Sequence, residues 1–144
     1  MDPKAFIDIA QSLIDVSAPS EAAIRTSIGR SYFGLFNLLG DFMKKNSFYL
    51  PNAAEAHKIV AHDLRGCGVD AARSIASYLE DLRTDRNKAD YQLELSCYTD
   101  KRPADFSLLR ARKAYEDFKK LTDSKNKRNH LKSRITDYRQ RTNS

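Results

Sequence analysis

Within nine positions the chain places Arg83, Arg86, Asn87, Asp90 and Tyr91. Residues three, four or seven apart share one side of a helix, so a helical segment here would present two guanidinium groups, an amide and a phenol together. Guanidinium forks match phosphate oxygens, which makes Arg83, Arg86, Asn87 and Tyr91 a candidate phosphate-facing constellation. The plainer reading is that Arg83 and Arg86 extend from a helix end and serve local ion pairs only. Arg86 stands out because the apolar stripe Ile75, Leu79, Leu82 runs onto it before continuing to Ala89 and Asp90. A charge at a core-facing position needs a partner or an anionic ligand, so Arg86 is expected either to pair with Asp90, one turn on, or to face a cleft or subunit interface.

Glu21 and Arg25 form a second charged pair, four apart in the favourable order, and Arg30 follows next to Tyr32 and Phe33. The expectation is a solvated face, Glu21 and Arg25 paired on it, with Arg30 held beneath Tyr32 and Phe33 as the alternative. His57 and His62 lie five apart, about 140° around a helix, which is no metal-binding spacing; they read as surface or packing residues. Cys67 and Cys97 lack a CxxC pattern and read as reduced thiols. No serine or cysteine sits in a nucleophile turn, and there is no GxGxxG or GxxxxGK[ST] motif. Neither a metal nor a cofactor is expected.

The elements that must position these residues are helical. Apolar residues recur at spacings of three and four throughout, which predicts an all-α protein. A first helix starting at Pro3 carries Phe6, Ile9, Ala10, Leu13 and Ile14. A second, with start signals at Ser17 to Ser20, runs to about Lys45 on the stripe Ile24, Ile28, Ser31, Leu35, Leu39 and Phe42, and its extra aromatics make it central. A third covers Ala53 to about Arg65 and ends at Gly66 and Gly68. A fourth runs from Asp70 to about Tyr91, and a fifth from Pro103, with Phe106, Leu109, Ala114, Tyr115, Phe118 and Leu121 as its apolar face.

The 144-residue length fits one core with an appended tail. The net charge of +6 lies in residues 124–144, which hold seven bases against one acid, while residues 1–123 balance. The organisation expected is therefore a helical bundle over 1–123 and a basic tail over 124–144, mobile unless bound, in which Lys127 and Arg128 suit RNA contact and Tyr138 suits stacking. Leu131, Ile135 and Tyr138 could extend a helix but build no core. No apolar run is long enough for a membrane span, and charges interrupt the opening residues where a signal peptide needs continuity, so the chain is expected in the cytoplasm.

Two segments taken together resemble the HEPN-domain superfamily, in particular its small prokaryotic members. Glu21-Ala22-Ala23-Ile24-Arg25-Thr26-Ser27-Ile28-Gly29-Arg30-Ser31-Tyr32-Phe33-Gly34-Leu35-Phe36 looks like their Arg-Ala-Tyr-Tyr-Ala-x-Phe helix, and Leu82-Arg83-Thr84-Asp85-Arg86-Asn87-Lys88-Ala89-Asp90-Tyr91 looks like their Leu-Arg-x-x-Arg-Asn-x-Ala-Asp-Tyr ending. The match covers about residues 20 to 118. It implies an up-and-down bundle of four to five helices that forms a homodimer, with the arginine-bearing helices of two protomers meeting at a shared cleft.

Many such proteins are metal-independent endoribonucleases of toxin–antitoxin or defence systems. An Arg, a following polar residue and a nearby His direct attack by the RNA 2′-hydroxyl. Arg86 and Asn87 fit the first two places and Tyr91 stands in the third, with Arg83 and Arg30 as phosphate-binding cations and Glu21, Arg25 and Asp90 in support. Tyrosine departs from the pattern, because a phenol titrating near 10 is a poor base at pH 7 whereas imidazole exchanges protons there. A non-catalytic nucleotide- or RNA-binding adaptor, working with a nucleotidyltransferase-like antitoxin partner, is the alternative. A purely structural bundle whose tail docks an acidic partner is a third.

Overall fold

A computed structural model describes residues 1–143. It is all-α, with α1 (Lys4–Ile14), α2 (Glu21–Lys45), α3 (Ala53–Gly66), α4 (Asp70–Tyr91), α5 (Arg102–Leu121) and α6 (Lys125–Thr142) packed as a bundle. No helix is long and apolar enough to cross a membrane among these residues. The sixth helix is one more than the sequence suggests.

α2 is the central rod, packing against α1, α3, α4 and α5. Its start is set by Ser20, whose Oγ accepts the Ala23 N–H at 3.1 Å, with Glu21 favourably placed at the positive end of the dipole. The stripe Ile24, Ile28, Ser31, Leu35, Leu39 and Phe42 is buried throughout. Phe42 meets Phe118 of α5 edge to face, with centroids 5.3 Å apart. Gly34 lets α1 approach, since a Cβ there would sit 2.5 Å from Ile7 Cγ1. The three residues between α3 and α4 are too few for anything but a tight return, so these two helices pack as neighbours.

Two faces differ from the sequence pattern. In α1 the buried residues are Ile7, Ala10 and Ile14, whereas Ile9 points out. In α5 the inward stripe is Ala104, Ser107, Leu108, Ala111, Ala114, Tyr115 and Phe118, while Phe106 and Leu109 are exposed. Small alanines allow close approach of α5 to α2 and α4, so the helix turns them inward and leaves two larger apolar residues outside.

The basic tail is the larger correction. Residues expected to be mobile form α6, which lies against α3, and Leu131 and Ile135 are fully buried in the common core. Two apolar residues would hold this helix weakly, and arginines complete the docking. Arg139 donates from Nη2 to Asp63 Oδ2 at 2.7 Å and from Nε to the same carboxylate, and it stacks 5.0 Å from the Phe48 ring. Arg134 Nε donates to the Cys67 carbonyl at 3.0 Å. Tyr138 lies on Gly66, where any Cβ would collide with its ring. Asp63 is buried, and burial pushes its carboxyl up against the opposing pull of Arg139.

Removing Arg139 leaves that carboxylate buried without its cation. Arg139→Ala is expected to destabilise the fold by about 2–3 kcal/mol, read as a lowered urea midpoint. Lys132→Ala, at an exposed position of the same helix, should move it by less than about 0.5 kcal/mol.

Candidate functional site

Arg86 and Asp90 sit one helical turn apart on α4, and Arg86 Nε donates to Asp90 Oδ2 at 3.0 Å. The pair runs beside Gly29 of α2. The Arg86 guanidinium lies 5.0 Å from the Phe33 centroid, 5.7 Å from Tyr32 and 6.0 Å from Tyr91, so rings of α2 and α4 surround it. About a quarter of the side chain, 23%, stays exposed. Nε is committed to Asp90, which leaves the two terminal nitrogens for a ligand. Arg30 also lies near the Phe33 ring, at 5.6 Å, with Phe6 rather than Tyr32 as its second ring, at 5.8 Å.

Arg83 lies one turn before Arg86, half-buried and without a carboxylate partner among the described residues. Asn87 is exposed, and Tyr91, the last residue of α4, is 71% exposed. The structure thus gathers Arg30, Arg83, Arg86, Asn87, Asp90 and Tyr91 at the C-terminal half of α4 and the adjoining face of α2. Among the described residues no group of three or more His, Cys, Asp or Glu side chains converges to hold a metal.

Four expected residues lie outside this cluster, Glu21 and Arg25 at the end of α4 and Lys127 and Arg128 at the α5–α6 connection. Arg25 is not part of a solvated pair, because it is buried and collects backbone carbonyls. Nη1 donates to Ala89 O at 2.7 Å and Gln92 O at 3.3 Å, Nη2 to Leu95 O at 3.1 Å and Leu93 O at 3.4 Å, and Nε to Glu21 Oε1 at 3.0 Å. The Tyr98 ring covers the guanidinium at 4.3 Å. Arg25 therefore fastens the end of α4, with Glu21 holding it from the solvent side. Lys127 and Arg128 cap the α5–α6 connection, with Lys127 bound to Asp123 and Arg128 to the Thr122 carbonyl. Lys127 shares a groove with Ala71 at the start of α4, roughly 20 Å along that helix from Arg86 at 1.5 Å per residue.

One contact with chemistry was not foreseen in the sequence, where His57 reads as a surface or packing residue and Tyr32 as part of an aromatic face. Tyr32 Oη lies 3.0 Å from His57 Nδ1, and both side chains are buried. Phe36 stacks on Tyr32 with centroids 5.7 Å apart and flanks His57 at 6.3 Å. Burial above all, and then Arg83, lower the His57 pKa to about 4, against the upward pull of Glu80. Burial also pushes the Tyr32 phenol up, opposed by Arg83 and Arg86. No spacing links residues 32 and 57; their meeting is made by α2 packing on α3. His62, five residues on, stays on the surface.

The chain is similar to an uncharacterized protein of Methanocaldococcus jannaschii, 33% identical over 107 residues. The match takes in 63% of this chain and 60% of that protein, so this chain spans about three fifths of the relative's length. No family model and no solved structure matches the chain.

Two outcomes follow from the buried groups. Arg25→Lys keeps the charge but not the fork, and is expected to destabilise the fold by about 2 kcal/mol, measured by thermal unfolding. His57 is neutral in the folded chain at pH values where the unfolded chain already protonates it, from 6.5 down to about 4. The unfolded state binds more protons across that window, so stability is lost as pH falls. Between pH 7 and pH 5 wild type should lose about 1–2 kcal/mol more than His57→Gln, measured by urea unfolding at both pH values.

Proposed function

We propose that this protein engages RNA through the α4 face formed by Arg83, Arg86, Asn87 and Tyr91, as a HEPN-like protein that acts as a metal-independent endoribonuclease of a toxin–antitoxin or defence system. The observation that carries the reading is the Arg86 guanidinium, oriented by Asp90 and three rings, with its terminal nitrogens open beside the unpaired Arg83. Two such forks one turn apart suit adjacent oxygens of a phosphodiester backbone. Tyr91, projecting from the helix end, offers a stacking surface for a base and a hydroxyl for a phosphate oxygen. Arg30 adds charge from α2.

The mechanism that the resemblance implies fits this layout. The arginines hold the scissile phosphate and offset charge as it builds on the non-bridging oxygens of the five-coordinate phosphorus, while the neighbouring 2′-hydroxyl attacks and the 5′-oxygen leaves. Exposed Tyr91 and Leu93, 71% and 72% accessible, provide an apolar border beside the arginines on which a second copy would bring its own α4 to a common cleft. A second reading draws on Asp90, which partly neutralises Arg86, and on Tyr91 where an imidazole is called for. On that reading the same face holds RNA or a nucleotide without cleaving it, as an adaptor beside a nucleotidyltransferase-like antitoxin.

The test is binding and cleavage of a labelled pool of tRNA and single-stranded RNA in EDTA. Arg86→Ala should weaken binding at least tenfold and lower the slope of log affinity against log salt by about 1. Cleavage by wild type in EDTA, giving 2′,3′-cyclic phosphate ends, supports the nuclease. Binding without cleavage supports the adaptor, and binding indifferent to Arg86 removes both. Lys127→Glu with Arg128→Glu reports separately on α6, because deleting residues 124–144 would uncover Asp63.

A further inference from the structure

Neighbouring helices cover most of α2, yet one stripe of it stays open. Between Arg30 and Lys44 the half-buried or exposed residues are Arg30, Phe33, Phe36, Asn37, Asp41 and Lys44, and all the others are buried. Steps of three and four keep these six on one side of the helix, along a stripe about 21 Å long at 1.5 Å per residue. One end of it is the arginine face, where Arg30 and Arg86 lie 5.6 and 5.0 Å from the Phe33 ring. The other end opens on a cavity of about 520 Å³ whose lining includes Phe6, Phe36, Asn37, Gly40, Lys44 and Leu50. Two rings belong to both ends. Phe6 is 5.8 Å from the Arg30 guanidinium, and Phe36 stacks on Tyr32, which itself lies 5.7 Å from Arg86.

The rings form a column that glycine interrupts. Tyr32 and Phe36, four apart, stack with centroids 5.7 Å apart and planes 8° from parallel. The next place at that spacing is Gly40, where a helical side chain would lean back over Phe36. Glycine leaves this place to the cavity, since the nearest atom to a Cβ there is Leu50 Cδ1 at 3.9 Å. On the rim Asp41 is taken by Lys45 at 2.8 Å, whereas Lys44 has no carboxylate partner among the described residues.

We infer that the Gly40 cavity is a base-binding subsite: a base of the RNA strand whose phosphate is held at Arg83 and Arg86 continues the Tyr32–Phe36 column, with Asn37 at its edge and Lys44 beside a further phosphate. The inference rests on the RNA-engagement reading above and holds whether or not the strand is cut. Arg86 and Lys44 lie near opposite ends of the stripe, too far apart to grip one phosphate, so a strand lying along α2 brings an intervening base to the cavity. That base enters only from a single strand or a loop, because in a duplex its faces are stacked and its edge is paired. Stacking on Phe36 tolerates any base. Asn37 adds preference, because an amide presents a donor and an acceptor that only some base edges complement.

The experiment measures affinities, by fluorescence anisotropy in EDTA, of wild type, Gly40→Leu, Asn37→Ala and Arg86→Ala for four short single-stranded homopolymer RNAs and for an abasic strand of the same length. Gly40→Leu fills the place over Phe36, and leucine has room for its Cβ and favours helix more than glycine, so this variant is expected to fold, checked by circular dichroism and urea unfolding. Expected are a loss of roughly tenfold or more by Gly40→Leu on the base-bearing strands, as one lost stacked base implies, and less than threefold on the abasic strand. Wild type is also expected to prefer some homopolymers over others, and Asn37→Ala to lose that preference. Gly40→Leu binding the homopolymers like wild type, with Arg86→Ala weakened, overturns the inference and leaves the RNA reading standing. An equal loss by Gly40→Leu on the abasic strand also overturns it, since no base is then involved. A wild type that binds no RNA, or whose binding ignores Arg86, removes the inference together with the reading on which it rests.

Discussion

A helix that stops leaves its last carbonyls without amide partners, and α4 stops at Tyr91, in the middle of the residues that matter most. Arg25 answers for these groups. One planar guanidinium on α2 donates from its two terminal nitrogens to the carbonyls of Ala89, Gln92, Leu93 and Leu95, across the helix end and the loop that follows, while Nε turns to Glu21. The angle at which α4 leaves the bundle, and with it the placing of Arg86 against Phe33, depends on that fork. A lysine could supply the charge but not the fan of directions. The arginine is thus buried at little penalty, because its charge is met by carbonyl dipoles, by Glu21 and by the face of Tyr98.

The same economy recurs at Arg139 and Arg134, where cations rather than apolar residues bring a helix onto the core. This explains what the sequence did and did not disclose. Helix spans for α2, α4 and α5 were legible because dense apolar periodicity and start signals such as the Ser20 cap and the first-turn Pro103 act locally. The Arg86–Asp90 pair was legible for the same reason, being four residues apart on one helix. α6 was not, since Leu131 and Ile135 are too few to announce a packed helix and the docking comes from a carboxylate 76 residues away. Arg25 resembled any surface i,i+4 cation, because its true partners are backbone carbonyls, which no side-chain pattern encodes. The α1 and α5 faces slipped where several apolar residues compete around one helix and only the neighbour decides.

The candidate site follows the same division. Its α4 half is a local arrangement and could be read from spacing. Its His57–Tyr32 half exists only because α3 lies across α2, bringing residues 25 positions apart within 3.0 Å. Both halves share Tyr32, so the packing that builds the core and the packing that shapes the polar face are one set of contacts. Substitutions at Tyr32, Phe33 or Phe36 are therefore felt in both.

The partner of Asp63 also sets an order of events during synthesis. At about 5–20 residues per second, some 4–15 s separate the making of Asp63 from the making of Arg139. Through that interval α3 has a carboxylate facing a position where α6 is not yet present, and water is its only solvation. The apolar face of α3, with Val60 and Leu64 against α2 and α4, has all its partners before that arginine is made. The pairing of Asp63 is thus the last of the α3 contacts to have both its residues present, well after the His57–Tyr32 contact.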